Sequence, residues 1–106
     1  FREVNIADIK GAIISADYEE EKRMVIILKE LEETRSLLIY DEQGDFIAEI
    51  VSPQGYTFVS LKNSDGNIMV VAQGTSDMTR DSFGRNDWNF VIDFENFYVQ
   101  KKSITQ

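Results

Sequence analysis

The same short phrase recurs along this chain: an apolar run, a small polar turn, then another apolar run. Residues 36–52 (SLLIYDEQGDFIAEIVS) and 56–73 (YTFVSLKNSDGNIMVVAQ) are the sharpest copies, with Gly44 and Gly66 at their turns. Residues 12–31 and 88–104 are looser versions. Short runs rich in Val, Ile, Phe and Tyr, bounded by Asp, Asn and Gly, form antiparallel hairpins. The expected fold is therefore all-β, with sequential antiparallel hairpins of about eight strands forming two four-stranded sheets.

A walk along the chain fills in the strands. Residues 1–10 fit either a short edge strand or a helical turn capped by Asn5, and Ala12–Ala16 reads as a strand before the polar turn Tyr18–Arg23. Met24–Leu31 (MVIILKEL) is two-sided. As a helix it aligns Met24, Ile27, Leu28 and Leu31, with a Glu19–Arg23 pair one turn earlier. As a strand, its β-branched centre Val25-Ile26-Ile27 suits a sheet buried on both faces. The strand is preferred because the helix leaves Val25 and Ile26 off its stripe; a helix near 19–33 would make the class α+β. Further on, Asp41–Asp45 and Asn63–Asn67 read as hairpin turns, and Ser52-Pro53-Gln54-Gly55 as a type I turn with Pro at its second position. Residues 74–87 are the long irregular connection. Trp88–Asp93 and Phe97–Val99 close the chain, and a frayed tail is expected from Lys101.

A length of 106 residues fits one domain, spanning 1–106. No apolar run is longer than Met24–Leu28, which is far short of the roughly 20 residues a membrane span needs. No signal-peptide pattern opens the chain, which starts at Phe1 rather than Met. Cysteine and histidine are both absent. That removes disulfides, Ser–His and Cys–His nucleophile pairs, and nearly every zinc site. It also makes a reducing cytoplasm the expected compartment. No phosphate-cradling glycine loop or basic aromatic stripe is present. With no catalytic residues, cofactor or metal indicated, a non-enzymatic binding role is expected.

Charge supplies the direction. The net charge is -8, and residues 1–53 hold 13 acids against 6 bases while residues 54–106 hold 6 against 5. Such a field repels nucleic acid and anionic lipid and steers a basic protein partner toward the first half. Candidate contacts are the acidic clusters Glu19, Glu20, Glu21 and Glu32, Glu33, which fall at opposite tips if their strands pair directly. The 74–87 loop adds Asp77, Arg80, Asp81, Phe83 and Arg85, where arginine beside an aromatic has the composition of an interface anchor. The bland alternatives are solvated tips and a braced connection. Calcium ligation by Asp41, Glu42 and Asp45, or by Asn63, Asp65 and Asn67, lacks the spacing of a calcium loop.

The strand–turn rhythm, with turns such as Tyr40-Asp41-Glu42-Gln43-Gly44, resembles β-propeller repeats; units 12–52 and 56–103 each have about the length of one blade. This implies either a sandwich-like pair of sheets or two propeller-like blades, and a homo-oligomer where a ring must close. By size, acidity and missing chemistry alone, the chain is similar to bacterial toxin-immunity proteins. That similarity implies an inhibitor covering a basic, nuclease-like toxin. A carboxylate-dependent hydrolase is the remaining, weaker expectation.

Overall fold

The computed structural model describes residues 6, 9–76 and 84–104. It contains eight antiparallel strands in two meanders. Sheet A comprises β1 (Ala12–Glu19), β2 (Met24–Leu31), β3 (Thr34–Asp41) and β4 (Phe46–Val51). Sheet B comprises β5 (Tyr56–Ser64), β6 (Asn67–Gly74), β7 (Asp87–Asp93) and β8 (Tyr98–Ile104). The all-β expectation holds, and Met24–Leu31 is a strand throughout. Its alternate residues go to different layers. Ile26 and Leu28 enter the main core, while Ile27, with Leu38 and Tyr40, forms a second cluster on the outer face under Ile6 and Ile9. Burial on both faces is what the continuous β-branched run encodes.

The main core lies between the sheets. Ile26, Leu28, Leu37 and Ile39 of sheet A meet Phe58, Val70 and Ala72 of sheet B, all at 0% exposure. The two sheets therefore share one apolar interior. Their relative orientation follows from the turns. Glu32-Glu33 joins β2 to β3 and Asp65-Gly66 joins β5 to β6, each with positive φ at both positions (51° and 66°; 53° and 89°). Such two-residue turns make the flanking pairs Leu31–Thr34 and Ser64–Asn67 hydrogen-bonded, which fixes the bonding side of every residue beyond them. Ile26 and Leu28 then bond toward β1, whereas Val70 and Ala72 bond toward β7. For L-residues, side-chain direction and bonding side are linked. Seen from the core with the second strand pointing up, β1 lies to the right in sheet A and β5 to the left in sheet B. The sheets thus stack front on back.

Every register shift falls on an edge strand. The inserted residue is Ile14 in β1, Ile47 in β4, Val59 in β5 and Lys102 in β8, while the central β2–β3 and β6–β7 ladders run unbroken. Bulges twist an edge away from further strands.

Three local readings change. β1 runs on to Glu19, which pairs with Met24, so the polar turn starts later than its charge suggests. At 52–56 the closing bond runs from Tyr56 N to Pro53 O (3.0 Å) and Gly55 has φ 88°. Positive φ at the third position is the type II pattern, shifted one residue from the expected type I turn. Finally, Lys101–Ile104 continues β8 against Trp88–Phe90 instead of fraying.

Candidate functional site

In a meander every second turn falls at the same end. The β1–β2, β3–β4, β5–β6 and β7–β8 turns therefore form one end of the molecule, and contacts tie them together. Glu20 N donates to Gly66 O (3.0 Å), joining the first and third turns. Tyr18 Oη donates to Glu42 (2.9 Å) and Arg23 lies 3.8 Å from it, joining the first and second. Phe94 of the fourth turn lines a shallow cleft of about 280 Å³ together with Glu21, Lys22 and Asn67. This end exposes Glu20, Glu21, Asp45, Asp65 and Glu95, with Lys22 and Arg23 as the cations of the same turns.

Several carboxylates at this end are engaged by the fold itself. Asp41 Oδ1 accepts from Gln43 N and Asp45 N, both at 2.9 Å. Asp93 Oδ1 accepts from Asn96 N and Glu95 N (2.9 and 2.8 Å), and these two amides hold its carboxyl below the usual carboxylate range. Glu19, expected in the solvated acidic tip, is 3% exposed. Its Oε1 accepts from Ile68 N (2.7 Å) just beyond the last β6–β7 pair, Met69–Val91, and its Oε2 accepts from Glu21 N (3.3 Å). Asn67, its amide turned to donate, reaches Glu21 at 3.1 Å and Glu19 at 3.3 Å. Glu19 is a clasp between sheets, and the exposed acidic tip reduces to Glu20 and Glu21.

The second acidic pair, Glu32-Glu33, is exposed on the β2–β3 turn at the opposite end, about 23 Å away at ~3.3 Å per residue of β2. Direct pairing of β1 with β2 separates the clusters in this way. The described ends of the β6–β7 connection, at Gly74 and Asp87, also lie at that far end. Arg85 there is exposed, and the buried Asn86 closes the loop base by donating to Gly74 O (3.0 Å) and Ser76 O (3.2 Å). Asp77, Arg80, Asp81 and Phe83 lie outside the described residues.

Sequence reasoning missed that Asp45, Asp65 and Glu95 join Glu20 and Glu21. Meander parity, counted turn by turn, carries that signal. Asp41, Glu42 and Asp45 gather no metal-holding group: among the described residues no three or more acidic side chains are so placed. Asn63 instead caps its own turn by accepting from Gly66 N (2.8 Å). No family model, curated protein or solved structure matches this chain.

Proposed function

We propose that this protein is a non-catalytic binding module whose four-turn end docks a basic protein surface. The observation that supports it is the convergence of Glu20, Glu21, Asp45, Asp65 and Glu95 on one rigid end. Hairpin turns anchored to a shared core hold charge with little entropy left to lose, and such a field accelerates encounter with a cationic partner. The most concrete form is an immunity-type inhibitor that covers a basic, nuclease-like bacterial toxin in the cytoplasm. The far-end residues Glu32, Glu33 and Arg85 would then touch only a partner large enough to wrap the sheet.

Co-expression with the product of the adjacent gene, scored by survival of the host, tests this reading. Protection by the wild type and its loss on E20K/E21K/D65K supports it, as does a complex that weakens steeply with salt. Protection indifferent to both reversal and salt would reject it.

The front-on-back stacking favours a second reading, a structural or ligand-binding blade pair. Stacking of this sense can continue from copy to copy until a ring closes, because the outer face of sheet A is the same kind of face as the inner face of sheet B. It requires a discrete oligomer in sedimentation, whereas an inhibitor can act as a monomer.

A further inference from the structure

At the end opposite the acidic turns, three side chains on the inner face of sheet B come together: Tyr56 and Trp88, both packed against the main core, and Lys101. The Lys101 ammonium lies 4.4 Å from the centroid of the Trp88 ring and 5.5 Å from that of Tyr56, and donates to Tyr56 Oη at 3.0 Å. Both walls are braced. Tyr56 meets Phe90 edge-on at 5.1 Å, and Trp88 Nε1 donates to Asn86 Oδ1 at 3.4 Å. Asn86 is itself buried and fixed to Gly74 and Ser76. Lys101 is exposed, and in a chain of net charge -8 no carboxylate among the described residues pairs with it.

We propose that Tyr56 and Trp88 form a binding site for a quaternary ammonium group, which Lys101 occupies in cis. Ring faces attract a cation through their quadrupole without offering it a charge partner. Such walls favour a methylated, weakly hydrated ammonium over a primary one, which gives up more hydration on entering. Lys101 is tethered on the neighbouring strand opposite Phe90, so its local concentration is high and it acts as a gate. A ligand must displace it. This assignment is independent of the acidic end and of any basic partner.

Trp88 is the only tryptophan, so its fluorescence reports this site alone. The probe is tetramethylammonium chloride, with sodium chloride at equal ionic strength as control. Lys101→Ala should give a saturable change in Trp88 emission, with half-saturation about two- to fivefold below that of the wild type, the shift expected when one competing exposed cation–π contact is removed. Adding Tyr56→Leu should abolish it. Choline and a trimethyllysine peptide, titrated in parallel, separate a free headgroup from a modified side chain as the source of the group. A folded Lys101→Ala protein that responds to tetramethylammonium no differently from sodium overturns the proposal, as does undiminished binding with Tyr56→Leu. Should Lys101→Ala not fold, the wild type decides through the ring-shifted NMR signals of the Lys101 methylenes. Movement toward ordinary lysine positions on titration supports displacement, and no movement overturns it.

Discussion

Two residues at the β2–β3 turn carry a conformation their type disfavours. Glu32 and Glu33 both have positive φ, where the left-handed region costs a side-chain-bearing residue about 1–2 kcal/mol. The equivalent β5–β6 turn uses Asp65-Gly66, a pairing that suits a type I′ turn. Replacing Glu32-Glu33 by Asn-Gly should therefore raise the urea midpoint with an unchanged slope, by about 1–2 kcal/mol in unfolding free energy. A lower midpoint would mean that the glutamates make stabilising contacts that outweigh the strain. At the β7–β8 turn the relevant variable is pH. The Asn96 and Glu95 amides hold the Asp93 carboxyl below its ordinary value of 3.8. A depressed carboxyl contributes stability that is complete above the unfolded-state pKa and disappears as pH falls through the folded-state value. The midpoint difference between wild type and Asp93→Ala should thus be constant from neutral pH to about 5 and close below about 4. A gap that persists in acid would show that the aspartate acts through turn geometry and not through its charge.

The hairpins were legible because their turns are local. Asp41–Asp45 and Asn63–Asn67 contain their own capping groups, and the polar-apolar rhythm between them needs no distant partner. The β1–β2 tip was not legible for the opposite reason. Glu19 looks like its neighbours Glu20 and Glu21, yet its carboxylate terminates a backbone N–H that the β6–β7 ladder leaves unpaired, 49 residues away in sequence. Only the docked hairpin creates that need. Glu19→Ala should strip the acceptor from a buried amide and destabilise the fold by about 1–3 kcal/mol, whereas Glu19→Gln keeps an oxygen in place and should lose less. Hydrogen exchange at Ile68 separates this from a general packing effect, since its amide should lose protection beyond the change in global stability. Equal protection in the Ala variant and the wild type would reject the clasp. The exposed acids were likewise half legible: each cluster could be read off the chain, but which turns share an end depends on strand pairing.

At the scale of the molecule, the four edge bulges and the shared core act on the same problem. Each sheet alone would offer two open edges and at least one apolar face, which is the profile of an aggregating strand array. Ile14, Ile47, Val59 and Lys102 disrupt the edges, and stacking hides the inner faces. A shared core predicts that the two meanders unfold as one body, although no ladder joins them among the described residues. Phe58 is the residue on which that unity turns. It stands on the first strand of sheet B, is fully buried in the common core, and its backbone is held by sheet A and the connection that follows it: Arg35 Nη1 donates to Phe58 O at 2.8 Å, and Phe58 N donates to Ser52 Oγ at 3.1 Å. Phe58→Ala should therefore cost about 3–5 kcal/mol, as expected for a large buried aromatic. The loss should appear equally in the slowest-exchanging amides of β2–β3 and of β6–β7, with a single unfolding transition retained. Leu38→Ala removes a side chain from the outer cluster under Ile6 and Ile9, on the far side of sheet A from sheet B, and should cost less. If Phe58→Ala instead left the β2–β3 amides protected while those of β6–β7 exchanged, the sheets would be separable units. The end where their turns meet could not then serve as a rigid surface.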